Sequence, residues 1–224
     1  MSDTTLYVLA AAGCLGVVVI PLVLYLNFNR NARTMRKLRG AHVTELAAIP
    51  ESTEGRFSGV VAPFGAGTMN APISGKPCVY FELVVQRVLQ RGTGRAHDVL
   101  FEDRGGVPFI VRDDSGSAVV DPTNARVAVE ATATTELRDA DALEAYLVSK
   151  GYSTSWFLSS DVSYNERLIE VGETVHVIGA GTREPDPDSA PEGYRGAMPT
   201  RLRIADSPAC RLVISDDPRA RPAP

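Results

Sequence analysis

Hydrophobic positions fall into two regimes along this chain. From Leu6 to Leu26 they are continuous, LYVLAAAGCLGVVVIPLVLYL, without one charged residue, whereas beyond residue 50 they come as short runs alternating with polar residues. At ~1.5 Å per helical residue the first run reaches ~30 Å, the depth of a bilayer's hydrocarbon. It predicts a retained transmembrane helix. A soluble core helix is seldom apolar all round, and a signal peptide needs a basic start and a small-x-small cleavage site, while this chain begins Met-Ser-Asp. Pro21 is tolerated in such a span and predicts a kink. Ala12 and Gly16 form a small-xxx-small pair that suggests a homodimer through the anchor.

From Asn29 to Ile49 the sequence favours a helical neck, with Met35, Leu38 and Leu46 as its apolar marks, Gly40 as a joint and Pro50 as its stop. Then the period becomes two. RFSGVV (56–61), VYFELVVQRVL (79–89), VPFIVR (107–112), 118–120, RVAVE (126–130), TVHVI (174–178), TRLRI (200–204) and RLVI (211–214) read as strands between Gly, Pro, Asp and Asn. Within 174–178 Val175 and Val177 share the inward face, His176 points the other way, and Gly172 and Gly179 mark bounding turns. Asp139 to Lys150 is the exception, a helix of about three turns with Leu143 and Leu147 four apart, Asp139 as cap and Gly151 as terminator. The predicted class is mainly β with one helix, an OB-like barrel or half-barrel carried on the N-terminal transmembrane helix. Domain bounds are 1–29 for the anchor, 30–50 for the neck, 51–217 for the β-rich body and 218–224 for a disordered tail; 90–97 and the Pro-rich 184–199 read as loose loops.

Charge orients this arrangement. Arg30, Arg33, Arg36, Lys37 and Arg39 follow the apolar run, whereas Asp3 alone precedes it. The basic side stays in the cytoplasm, so the N-terminus is expected outside an inner (cytoplasmic) membrane crossed once, with the body cytoplasmic. The same five residues are the candidate contacts with anionic headgroups, which makes the lipid bilayer a partner. Residues 41–224 hold 18 basic against 26 acidic residues, a formal charge of −8, which excludes nucleic acid as the default partner. Cys14, Cys78 and Cys210 form no C-x-x-C and no even-numbered framework, as suits a reducing compartment.

Candidate chemistry is sparse. His42, His97 and His176 lack acidic or Cys neighbours at metal-ligand spacing, so no metal and no cofactor is expected. The glycine clusters at 65–67, 92–94 and 179–181 lack the strand-turn-helix setting of a phosphate cradle and read as turns. Asp113-Asp114 before Ser115-Gly116 is hairpin chemistry, no Gly-x-Ser-x-Gly elbow occurs, and Trp156-Phe157 reads as a core pair. Cys78, directly before a strand, reads as a packed hydrophobe rather than a nucleophile. No catalytic residue is assigned.

Four features in order carry a resemblance: Gly59-Val60-Val61 with Ala71-Pro72-Ile73-Ser74-Gly75-Lys76-Pro77-Cys78-Val79-Tyr80; Val107–Val111 leading to Asp114-Ser115-Gly116 and Val119–Pro122; Glu166-x-Leu168-x-x-Val171-Gly172-Glu173-x-Val175-x-Val177-x-Gly179; and the closing runs Arg201–Ile204 and Leu212–Ser215. Over about residues 54–217 this order resembles the GIDE, or beside-a-membrane (BAM), domain of the mitochondrial-anchored E3 ubiquitin ligase family and its prokaryotic relatives. Ligases of that family carry a second membrane span and a Cys/His zinc-binding RING finger, and these 224 residues hold neither. The resemblance therefore implies a RING-less, bacterial, non-enzymatic binding or sensing module beside the membrane, in a stress or conflict system, with a protein partner there. The alternative is an envelope-associated enzyme whose active site is built from scattered carboxylates and His176.

Overall fold

The computed structural model describes residues 37–65, 67–91, 94–129, 140–153, 162–187 and 199–220. The apolar run 6–26, the basic residues Arg30, Arg33 and Arg36, and the Trp156-Phe157 pair lie outside them. No helix among the described residues is long and apolar enough to cross a membrane.

Thirteen strands and one α-helix make up the described body. Eight strands form one sheet: β1 (Gly55–Pro63), β6 (Phe109–Arg112), β7 (Ser117–Asp121), β8 (Arg126–Ala128), β10 (Thr174–Gly179), β11 (Gly181–Pro185), β12 (Thr200–Ala205) and β13 (Val213–Ser215), in the order β11-β12-β7-β6-β1-β10-β13-β8. The pairs β12·β7 and β13·β8 are parallel and the rest antiparallel. β4 (Tyr80–Arg91) sits between β5 (Gly94–Gly106) and β9 (Val162–Ile169) in a second sheet, and β2 (Met69–Asn70) pairs with β3 (Pro77–Cys78).

Period-two patterning accounts for the main core. Phe57 and Val61 of β1, Phe109 and Val111 of β6, Val175 and Val177 of β10, Leu202 and Ile204 of β12, and Ile214 of β13 all face one interior. Each such side chain taken fully out of water contributes ~1.5–3 kcal/mol. A second core packs Leu83, Val85, Phe101 and Tyr164 of the three-stranded sheet against Leu143 and Leu147 of α1 (Ala140–Ser149). Gly151 (φ 82) ends α1: its N–H bonds Val148 O at 2.9 Å and the Tyr152 N–H bonds Leu147 O at 3.0 Å, the paired bonds of a Schellman motif.

Several expectations change here. The fold is mainly β with one helix, but the described strands make no closed barrel: the eight-stranded sheet is open, with β11 and β8 at its ends. Only Ala180 separates β10 from β11, so the chain passes in one step from the middle of the sheet to its edge, coiling the sheet without joining the edges by a ladder. Gly179 bounds no left-handed turn. A Cβ there would meet Ile204 Cγ2 at 2.5 Å, so glycine serves close packing, whereas Gly172 (φ 92) is a true turn.

The expected loop 90–97 belongs to the β4–β5 hairpin, paired out to Arg91↔Gly94, with a register shift between Val85 and Gln86. Nor does the neck run as one helix to Ile49: residues 37–40 are helical, the chain bends after Gly40, and Leu46–Ala48 form a 3₁₀ turn. Leu46 and Ile49 enter the main core, and Leu38 packs with Ile178, Val213 and Ala220 on the opposite face of the sheet.

Candidate functional site

A recess lies where the two sheets meet, a cavity of about 730 Å³ lined by Tyr80, Arg104, Gly105, Gly106, the turn Pro122–Ala125, Asp206 and Arg211. Glycine is required on one wall. A Cβ on Gly105 would meet Phe81 Cε1 at 2.4 Å and one on Gly106 would meet Pro122 Cγ at 2.7 Å, so the end of β5 approaches its neighbours by backbone alone. The opposite wall is the β7–β8 turn, in which Thr123 N–H bonds Asp121 Oδ1 at 3.0 Å and Asn124 adopts φ 62, the left-handed region asparagine tolerates. The third wall is the β12–β13 loop: Asp206 accepts from Leu212 N–H at 2.9 Å and from Arg211 Nη1 at 2.6 Å.

Behind the recess a charged row crosses the three-stranded sheet. Glu82 faces Arg104 on β5 and Arg167 on β9. Its carboxylate is buried, 2.9 Å from Arg167 Nη1 and 3.1 Å from Arg104 Nε, and Arg104 also reaches Glu102. The Arg104 Nε contact has the distance of an ion pair without the alignment of a hydrogen bond, and that N–H is buried without another acceptor among the described residues. A desolvated carboxylate between two guanidiniums fixes side chains firmly, because losing any one member strands the others. The recess thus presents donors and one acidic group on a rigid frame, suited to binding a polar segment.

The residues singled out by sequence lie elsewhere. Of the five basic candidates Lys37 and Arg39 are described: Lys37 Nζ bonds Glu54 Oε2 at 2.8 Å, and Arg39 is exposed. Cys78 is fully buried and its thiol is pushed up to about 11, by burial first and then by Glu166 and Glu170, the reverse of an activated nucleophile. Cys210 is also pushed up to about 11, by burial and by the Glu54 carboxylate 3.1 Å from its sulfur.

His42 is exposed, and the His97 side chain lies outside the described residues. His176 departs from expectation: it points away from Val175 and Val177, yet it is buried, with Nδ1 in a hydrogen bond 2.5 Å from Ser58 Oγ. Both faces of β10 are covered, the outer one by the segment around Leu38 and Ala220.

Asp113 is turn chemistry, accepting from Ser115 N–H, Ser115 Oγ, Gly116 N–H and Leu46 N–H. Glu166 likewise accepts from Ile73 and Ser74 N–H, tying the turn around Gly75 (φ 66) to β9. Among the described residues no three His, Cys, Asp or Glu side chains gather as metal ligands. Sequence reasoning missed Tyr80, Arg104, Asn124, Asp206 and Arg211; the Pro-Thr-Asn turn was the one local signal, since the rest meet only through the tertiary fold.

No curated protein and no solved structure matches the chain. A family model does: GIDE, described as E3 Ubiquitin ligase, over residues 83–188. That segment runs from the fourth residue of β4 through α1 to just past β11, slightly under half of the chain, and contains Arg104, Gly105, Gly106 and the Pro122–Ala125 wall. Over residues 83–188 the chain is thus similar to the GIDE family, the family described as E3 Ubiquitin ligase.

Proposed function

We propose that this protein is a membrane-tethered, non-enzymatic binding or sensing module of the GIDE type, which holds a protein partner beside the bilayer through the recess at the sheet junction. The observation that carries this reading is the recess itself: a rigid polar cleft of about 730 Å³ with most of its walls inside the GIDE-matched segment. The uncharged run 6–26 and the basic residues after it support the tether. A bacterial setting with the body in the cytoplasm belongs to the same proposal.

Two measurements on the full chain test it. With a photo-crosslinking residue in place of Asn124, native membranes yield one dominant protein adduct, and Arg211→Glu abolishes it; no adduct, or one indifferent to Arg211, overturns the recess as the docking place. Incubated with a ubiquitin-charged conjugating enzyme, the chain transfers nothing. A thioester that disappears in Cys78→Ser would overturn the non-enzymatic assignment.

A further inference from the structure

The start and the end of the described chain meet at one place. Leu38, fully buried, packs with Ile178, Val213 and Ala220. Arg56, also buried, reaches both ends at once: Nη1 donates to Ala41 O at 2.7 Å and Nη2 donates to Ala220 O. Lys37 bonds Glu54, and Glu54 accepts the Cys210 thiol, so the loop carrying Arg211 belongs to the same pole. These contacts form a collar that fixes residues 37–41 and 218–220 on the outer face of β10 and β13.

Basic residues flank the collar in sequence. Residues 41–224 are acidic by −8, yet Arg30, Arg33, Arg36, Lys37 and Arg39 lead into the collar and Arg221 follows it, while within the collar Lys37 is paired with Glu54 and Arg211 with Asp206. Geometry adds a limit. Ten residues, 27–36, separate the apolar run from Lys37. Even fully extended such a tether spans no more than ~40 Å. A body of this size is ~40 Å across, so reaching its far pole around the surface would take ~60 Å. Whatever the path of the tether, the far pole cannot be brought to the headgroups.

We infer that the collar pole, with Lys37, Arg39, His42 and Arg211, is a lipid-contact face that lies on an anionic bilayer surface. This rests on the reading of residues 6–26 as a membrane anchor. On that footing Arg211, which lines the recess, also stands at the lipid, which sets that wall of the recess beside the membrane.

The test uses the full chain in phosphatidylcholine vesicles with and without phosphatidylglycerol, carrying p-benzoylphenylalanine in place of either His42 or Val148. Val148 is 57% exposed on α1, the helix whose Leu143 and Leu147 pack in the second core, and it is not part of the collar cluster. Flotation of the chain with the vesicles reports the anchor separately. The expected result is flotation, with several-fold more lipid adduct from position 42 than from 148, a further rise with phosphatidylglycerol, and loss of that rise at high salt or in Arg39→Glu. A chain that floats but gives equal adducts, or more from position 148, overturns the lipid-contact face and leaves the anchor standing. A chain that does not float overturns both.

Discussion

Leu38→Ala is the sharpest test of whether the segment after the apolar run 6–26 is a passive neck or part of the fold. Leu38 is fully buried against Ile178 and Val213, themselves 0% and 1% exposed, so its removal leaves a hole lined by atoms of β10 and β13 that the sheet cannot collapse to fill. Losing three carbon atoms from water-free packing costs ~2.4 kcal/mol at ~0.8 kcal/mol each, before the cavity is counted. Leucine-to-alanine changes in rigid cores range over ~2–5 kcal/mol. At ~2–4 °C per kcal/mol for a body of this size, the unfolding midpoint of the full chain in detergent falls by ~5–15 °C. Val60→Ala, at a position 48% exposed, is the control and changes stability by under ~0.5 kcal/mol. A loss below ~1 kcal/mol for Leu38→Ala would refute the collar as packed structure. By the same reasoning a fragment beginning at residue 50 lacks Leu38, Leu46 and Ile49 and is markedly less stable than one beginning before residue 37.

On β10 both neighbours matter: Val177→Ala costs ~1–3 kcal/mol by lost burial and cavity, and His176→Ala costs a comparable ~1–3 kcal/mol because the part-buried Ser58 hydroxyl loses its partner, as equilibrium denaturation of the two variants measures. The two thiols give an alkaline signature. With folded values raised to about 11, above the unfolded value near ~8.5, their contribution is fully present below pH ~8.5 and is lost as pH rises toward 11, so Cys78→Ala shows a shallower alkaline loss of stability. Asp113 has the opposite sign. Burial alone would raise its carboxyl, but the hydrogen bonds from Leu46, Ser115 and Gly116 hold it below the usual range; its contribution, present above pH ~3.9, is lost as pH falls through the folded value, and Asp113→Asn flattens the acid limb of a stability-versus-pH curve.

The sequence made the strands with strong period-two burial legible. The runs at 56–61, 118–120, 174–178 and 200–204 appear within two residues of their observed bounds, as does α1, because alternating apolar positions and a Gly terminator are local signals. What was illegible depends on partners distant in sequence. The start of β5 falls in the stretch 90–97 that reads as a loose loop, and its remainder carries no strand signal of its own, because only the pairing with β4 makes GRAHDVLFEDRGG a strand. β9 was quoted only inside a family motif, since VSYNERLI places Arg167 and Glu166 on a sheet whose partners, Glu82 and the turn at Ile73, lie more than eighty residues away. The recess was invisible for the same reason: Arg104 comes from the end of β5, Asn124 and Arg211 from two separate connections, and they meet only when two sheets are joined. For His176 the pattern gives the face but not the burial, because period two tells direction and not what covers the other side.

The Arg104–Glu82–Arg167 row is an expensive way to cross a sheet, and its cost indicates what it does. Burying a carboxylate between two half-buried guanidiniums gains little stability over an apolar row of the same volume, since desolvation offsets most of the attraction. Register is another matter. The β4–β5 pairing is long and carries an irregularity at Val85/Gln86, which makes the ribbon prone to slip. A slip of one residue would bring Leu83, fully buried in the second core, to the face now held by Glu82, and would leave the carboxylate in the apolar cluster with Leu143 and Leu147. Both errors are strongly unfavourable, so the row selects one alignment. That alignment sets Gly105 opposite Phe81 and Gly106 opposite Tyr80, the pairing that lets bare backbone close against Pro122 and leaves the recess open. The charged row therefore acts on the recess at one remove: it specifies which residues form the wall, while Asp206, Arg211 and Asn124 present the groups a partner would meet.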